Sequence, residues 1–247
     1  MSDANMYSIC RRSQSWYGES IGILILDAAY PCVPGNVGNA TTYPFPVRYH
    51  EVEGASIDRL LNQCDPTLVT PFIEGALALQ ARGVKAVTGA CGFMAIFQRE
   101  VAAALEIPVF LSSLLQVPFM TQITGRPVGV ITANASRLTP AHFAACGISP
   151  DVVMHVAGME DQPEFRTAVL EEKGTLDSAL IEAEVTGVAA DLVAQHPQIG
   201  SILLECSDLP PYAAAVQRAT GRPVFDFNTM IAHVERAVVA RSYQGAM

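Results

Sequence analysis

The chain has 247 residues, of which half are apolar and 16% are charged, and its formal net charge at pH 7 is −9. This composition is typical of a compact soluble protein with room for one large domain or two smaller ones, and it excludes disordered and fibrous chains. The excess of acidic residues leaves no basic surface for a phosphate backbone, so nucleic acid is not an expected partner.

The first twenty residues read as a polar leader without an apolar core and a small-residue cleavage site. The apolar run that follows, residues 21–29, is interrupted by Asp27 and is far shorter than the roughly 20 residues of a membrane helix. We therefore expect no membrane contact and a cytoplasmic location, where the six cysteines would be reduced thiols. Neither the cysteines nor the histidines show metal-ligand spacing, so no metal site is expected.

Short apolar runs alternate with longer segments of helical period along the whole chain. The predicted strands are residues 21–26, 84–88, 107–111, 127–132, 151–156, 199–204 and 223–226. The predicted helices are residues 66–82, 93–105, 113–123, 136–145, 176–195, 210–219 and 229–241. This alternation is typical of βαβ units and predicts an α/β fold with parallel sheets.

Residues 27–54 interrupt the alternation. They are rich in proline and glycine and show no clear period, so we predict one long loop after the first strand. Four aromatic residues favour an ordered lid or a subunit contact over disorder: Tyr30, Tyr43, Phe45 and Tyr49. Because aromatic side chains are enriched at interfaces, we expect a homo-oligomer.

A repeat of 115 residues relates two parts of the chain. Cys206 follows Cys91 at this offset, and the Pro-Val-Phe triplet 223–225 follows the same triplet at 108–110. Such self-similarity indicates a duplicated supersecondary unit. We therefore predict two pseudo-symmetric, Rossmann-like halves: residues 21–122 with 222–247 form the first, and residues 123–221 form the second.

The repeat places Cys91 and Cys206 at equivalent positions, each after a strand and before a helix. Ligands bind outside the carboxyl ends of parallel strands, and a helix N-terminus raises the thiolate fraction of a thiol. We predict that both thiols are catalytic and face each other across the cleft between the halves; the alternative is that both are packing residues. A packing or incidental role is expected for the other cysteines, Cys10, Cys32, Cys64 and Cys146.

Two opposed thiols could remove a proton from one face of a carbon acid and return one to the other face. No cofactor is expected, because neither of the two lysines lies well for a Schiff base and no nucleotide-binding glycine motif is present. A carboxylate next to the reacting carbon would need hydrogen-bond donors. The candidates at strand ends, for which helix capping is the alternative role, are Thr88, Ser112, Ser113, Thr132, Asn134 and Ser207.

The motifs "TGACGF", "IPVFLSS", "GVITANAS" and "LLECSDLPPY" resemble the aspartate/glutamate racemase superfamily of cofactor-independent enzymes. The resemblance extends over about residues 21–231. It implies two α/β halves with the site between them and catalytic roles for Cys91 and Cys206. Further substrate contacts that it implies are Asp27, Gly92, Ser207 and Asp208.

Three functions follow as hypotheses. The first is a racemase or epimerase that acts on a small carboxylate-bearing substrate. The second is β-elimination, because details such as "CGFMAIFQ" and "ECSDLPPY" resemble the branch that contains the algal-type dimethylsulfoniopropionate lyases. The third is a non-catalytic protein that binds a small molecule in the same cleft.

Overall fold

The structure is a computed structural model that describes residues 8–9, 12 and 14–246. Two four-stranded parallel sheets carry the fold, and they have equivalent strand orders, β2-β1-β3-β4 and β6-β5-β7-β8. The first comprises β1 (Ile21–Leu26), β2 (Val47–Val52), β3 (Ala86–Gly89) and β4 (Val109–Phe110). The second comprises β5 (Val128–Thr132), β6 (Met154–Gly158), β7 (Ser201–Leu204) and β8 (Val224–Phe225). The predicted α/β fold with two parallel sheets is confirmed.

Helices cover both sheets. They are α1 (Val69–Ala81), α2 (Gln98–Ala104), α3 (Val117–Thr124), α4 (Pro140–Ala145), α5 (Pro163–Phe165), α6 (Ser178–Gln195), α7 (Ala213–Thr220) and α8 (Phe227–Val238). Strands β3, β5 and β7 are buried along their whole length, as expected for parallel strands with helices on both faces. The described residues include no helix that is both long and apolar enough to cross a bilayer.

The prediction of one long loop over residues 27–54 is wrong at its end, where β2 pairs in parallel with β1 from Ile21↔Val47 to Leu26↔Val52. The sequence of β2, "VRYHEV", lacks the apolar run of the central strands because β2 is a half-buried edge strand. Its polar side chains can remain partly in solvent while its backbone completes the sheet. Edge strands therefore carry a weaker hydrophobic pattern than central strands.

Helix α8 begins two residues earlier than predicted, because Asp226 caps it. The Asp226 carboxylate accepts from the Thr229 N–H at 2.7 Å, and the Thr229 hydroxyl accepts from the Asp226 N–H at 2.9 Å. Phe227 and Ile231 of α8 then pack with Ile23 of β1 in the core of the first half. This reciprocal cap fixes the start of α8.

Strand β8 pairs with β7, so Val224–Phe225 lie in the second sheet, although α8 packs against the first half. The chain thus crosses between the halves at residues 225–227, a few residues after the predicted boundary at 222. The division of the chain into two units stays a prediction. Of the predicted leader, only part is described, and Cys10 lies outside the described residues.

Candidate active site

Strands β3 and β7 both end at a small cavity between the two halves. Cys91 follows β3 and Cys206 follows β7, and both cysteines line this cavity. Tyr30 from the first half and Val169 and Leu170 from the second also line it. The cavity leaves about 20 Å³ for the centre of a water-sized molecule, which is room for about one water. A substrate larger than water therefore fits only if the residues that line the cavity move.

Cys91 is half-buried and precedes a turn of 3-10 helix, Gly92–Phe97, that leads into α2. Burial raises the pKa of its thiol well above the usual range, and the nearby Glu205 carboxyl raises it further. Hydrogen bonds from the backbone of Phe93 and Met94 oppose this increase. The helix start favours a thiolate, as the sequence predicts, but desolvation outweighs that effect and Cys91 is a neutral thiol at pH 7.

Cys206 is buried and its thiol contacts a carboxylate. The Sγ atom donates to Asp208 Oδ2 at 3.2 Å, and Asn36 Nδ2 donates to Asp208 Oδ1 at 2.6 Å. The Tyr30 hydroxyl lies 3.5 Å from Oδ2. Burial, followed by the Asp208 charge, raises the pKa of Cys206, and burial also raises the pKa of Asp208. Asp208 is thus a buried proton acceptor in direct contact with the Cys206 thiol.

The two cysteine turns share a position in the repeat but differ in chemistry. At the offset of 115, Glu205 replaces Ala90, Ser207 replaces Gly92 and Asp208 replaces Phe93. Both acids therefore flank Cys206, and the turn of Cys91 provides none. The two thiols therefore occupy equivalent positions in the repeat, but the acidic residues in their turns differ.

Of the predicted contact residues, Ser207 and Asp208 line the cavity beside the two cysteines. The Ser207 hydroxyl donates to the Ala90 carbonyl at 2.8 Å and joins the two cysteine turns across the halves. Ser113 also joins the halves, since its hydroxyl lies 3.3 Å from the Glu205 carbonyl oxygen. Gly92 lies directly against the Glu205 carboxyl.

The other predicted contacts have structural partners instead. Thr88 donates to the Phe110 carbonyl, Thr132 donates to Glu205, and Ser112 and Asn134 each accept from a backbone N–H two residues later. Asp27 is exposed and does not line the cavity. A role for any of these residues in binding a substrate stays a prediction.

Sequence reasoning missed Glu205 and Asn36. Glu205 is fully buried, and an acid directly after the apolar run "SILL" is a signal that could have found it. Asn36 lies in the loop after β1, where nothing in the local pattern distinguishes it from a turn residue. Tyr30 of the aromatic loop lines the cavity, and a lid function of this loop stays a prediction. The described residues contain no group of three or more His, Cys, Asp or Glu side chains that could hold a metal.

Solved structures with the same fold include a decarboxylase and amino-acid racemases. Arylmalonate decarboxylase is 17% identical, with a TM-score of 0.61 over 89% of this chain and 92% of that chain. An Asp/Glu racemase homologue from Yersinia pestis is 15% identical, with a TM-score of 0.57 over 89% and 97%. Aspartate racemase from Picrophilus torridus gives a TM-score of 0.56 at 13% identity over 88% and 93%. The protein therefore has the Asp/Glu racemase-like fold.

No family model matches the chain. Its sequence relatives identify a more specific group of proteins with this fold. A dimethylsulfoniopropionate lyase of Durusdinium sp. clade D is 32% identical over 215 residues, 84% of this chain and 71% of the relative. Dimethylsulfoniopropionate lyase 6 of Emiliania huxleyi is 34% identical over 218 residues, 84% of this chain and 56% of the relative. The chain belongs to the family of these lyases. It spans just over half the length of the Emiliania relatives with 34% identity.

Proposed function

We propose that the protein is a lyase that removes a proton next to a carboxylate and expels a cationic leaving group from the β carbon, with dimethylsulfoniopropionate as the substrate class. The observation that carries this proposal is the asymmetry of the two thiols. Cys206 contacts Asp208, whereas Cys91 has no acidic neighbour in its own turn. An elimination needs one base, while inversion of a stereocentre uses two thiols that exchange roles.

The charges around the cavity support a substrate that carries a positive charge. Asp208 lines the cavity and Glu205 lies behind Cys91, whereas no lysine or arginine is among the described residues of the cavity wall. A dicarboxylate such as aspartate would bring further negative charge into this buried acidic site. A sulfonium group would instead offset the carboxylates and lower the cost of forming a thiolate beside them.

The reaction follows from these positions. Cys206 passes its proton to Asp208, and the resulting thiolate removes the α proton of the substrate. The electron pair of that C–H bond forms the carbon–carbon double bond, and the C–S bond breaks with its electron pair leaving on sulfur as dimethyl sulfide. Acrylate remains, and Asp208 releases its proton to solvent. Cys91, which lines the same cavity, is a neutral donor to the substrate carboxylate, where charge builds up in the transition state.

The single variants Cys206→Ser and Cys91→Ser test this assignment. A serine hydroxyl nearly keeps the shape of a thiol but ionises far less readily, so we expect Cys206→Ser to lose about 10²- to 10⁴-fold in rate. Cys91→Ser, which keeps a donor, should lose much less. Acrylate formation from dimethylsulfoniopropionate, followed by NMR in heavy water, gives the rates, and Cys64→Ser is the control. Equal losses, or no unsaturated product from any β-substituted propionate, would contradict the proposal.

A racemase is the second candidate, because the repeat places two thiols at equivalent backbone positions on the cavity. It predicts exchange of the α proton of amino acids with deuterium and no unsaturated product. The same experiment with a panel of amino acids distinguishes the two reactions. Binding without turnover of any substrate would instead favour the non-catalytic hypothesis.

A further inference from the structure

Glu205 carries a buried carboxyl whose hydrogen bonding is incomplete. The residue is fully buried, and its backbone N–H donates to the Ile131 carbonyl at 2.7 Å. Oε2 accepts from the Thr132 hydroxyl at 2.8 Å, whereas Oε1 has no hydrogen-bond partner among the described residues. A half-satisfied buried carboxyl costs stability, so its presence calls for a functional reason.

The carboxyl extends from the second half to the cysteine turn of the first. A Cβ atom added at Gly92 would overlap the Glu205 carboxyl, so the absence of a side chain at Gly92 makes the space that the acid occupies. The φ angle of Gly92 is not positive, and the backbone conformation therefore does not require glycine. Gly92 directly follows Cys91, which puts the carboxyl beside the turn that carries this thiol.

This contact has no counterpart in the other half. Ala90 is the repeat equivalent of Glu205, and Ser207 is the equivalent of Gly92. Ser207 fills its position with a hydroxyl that donates to the Ala90 carbonyl. Cys91 therefore has a buried carboxyl next to its turn, and the duplication does not explain why it is there.

The Glu205 carboxyl acts electrostatically on the Cys91 thiol. Burial raises the pKa of Glu205 to about 7, against the lowering effect of the Thr132 hydrogen bond. The Glu205 charge raises the pKa values of Cys91, Cys146 and Cys206, and the Asp208 charge also raises that of Cys91. Two negative charges in one desolvated site are disfavoured, so ionised Glu205 adds to the burial that keeps Cys91 protonated.

We propose that Glu205 is a positioning residue whose ionised carboxylate, in addition to burial, holds Cys91 as a neutral thiol donor, and whose protonation makes a Cys91 thiolate easier to form. The proposal rests on the proposed function, in which Cys206 is the base and Cys91 is a neutral donor. It explains how Cys91 keeps its proton. It follows from the Glu205–Gly92 contact, the single hydrogen bond from Thr132 and the absence of an acid at Ala90.

The test is the pH dependence of Cys91 alkylation by iodoacetamide, measured on the Cys91 peptide by mass spectrometry without substrate. In the wild type, the logarithm of the rate should rise more slowly around pH 7, where Glu205 ionises and suppresses the thiolate. In Glu205→Gln this inflection should disappear, and Cys91 should react about tenfold faster at pH 8. Since no substrate is used, failure of the lyase proposal would leave this result intact.

Glu160→Gln is the matched control. The Glu160 carboxyl accepts from the Ala135 N–H and, like that of Glu205, occupies the space beside a glycine, Gly158, but it is not among the charges that shift the pKa of either cavity cysteine. Its variant should keep the inflection. An identical Cys91 profile in wild type and folded Glu205→Gln would overturn the proposal.

Thr132→Val tests the same proposal if Glu205→Gln does not fold. Valine keeps the shape of threonine but removes the hydrogen bond that lowers the pKa of Glu205. The inflection in Cys91 alkylation should then move to higher pH. An inflection that stays in place would assign it to another group and overturn the role of Glu205.

Discussion

At the scale of single residues, Asp208 has two opposite effects on Cys206. Its negative charge raises the pKa of the thiol, and its Oδ2 atom is the acceptor to which that thiol donates. The first effect opposes a resting thiolate, while the second provides a route by which the proton can leave when substrate binds. Substitution of Asp208 separates the two, because they change the rate in opposite directions.

We expect Asp208→Asn to lower the rate of elimination by about 10²-fold, because the isosteric amide cannot take the Cys206 proton. The exposed variant Asp191→Asn is the control, and steady-state rates over pH 6 to 9 are the measurement. Asparagine avoids the cost of a buried charge, so the fold should be retained. A rate that is unchanged or higher would mean that Asp208 acts on Cys206 only through its charge.

At the scale of elements, the sequence predicts the central strands and the duplicated unit. It does not predict features that depend on contacts between distant parts of the chain. Cys91 and Cys206 both line one cavity, as their spacing of 115 residues in a duplicated unit indicates. Their catalytic roles stay a prediction. Strand β2 was missed because only its pairing with β1 makes "VRYHEV" a strand. Glu205 was missed as a site residue because its significance depends on Gly92, 113 residues away in sequence.

Helix α8 allows a direct test of how the C-terminal part of the chain packs against the first half. Phe227 is fully buried in the first-half core, whereas Phe119 of α3 is 57% exposed. We expect Phe227→Ala to lower the free energy of unfolding by about 3–5 kcal/mol, and Phe119→Ala to lower it by much less. Urea unfolding followed by circular dichroism measures both. Equal losses would contradict the packing of α8 against the first half.

At the scale of the whole molecule, hydrogen bonds join the halves around the cavity. The Ala29 N–H donates to Glu172 Oε1 at 2.6 Å, Asn36 donates to Asp208, and Ser207 donates to the Ala90 carbonyl. Glu172 has a φ of 52°, a left-handed conformation that is uncommon for a residue with a side chain. Tyr30 and Asp208, which both line the cavity, thus lie within one connected interface. Assembly into a homo-oligomer stays a prediction.

This interface should make the protein more stable in mild acid than in mild base. Burial raises the pKa of Glu205 from 4.5 to about 7, and it also raises the pKa values of Asp208 and Asp226. A carboxyl with a raised pKa contributes stability that is complete below its unfolded pKa and is lost as the pH rises through its folded pKa. For Glu205 this loss is on the order of 3 kcal/mol between pH 4.5 and 8.

Urea unfolding at pH 5 and pH 8 measures this dependence. The wild type should unfold at a lower urea concentration at pH 8, and Glu205→Gln should show a smaller difference between the two pH values. The carboxyls with lowered pKa, such as Asp65 and Glu164, titrate below this window. His142 and His155, whose pKa values are lowered, act in the opposite direction within it, so the comparison of wild type with Glu205→Gln isolates the acid. The same pH dependence in both proteins would show that Glu205 is ionised at little cost.

The burial of the two thiols affects how readily the proposed product could inactivate the protein. Acrylate, the product of the proposed elimination, is an electrophile to which thiolates add at the β carbon, and each turnover would release it within reach of Cys91 and Cys206. A thiol is far less nucleophilic than its thiolate. Because desolvation raises the pKa of both thiols, a site that formed this alkylating agent would itself be protected against inactivation by it.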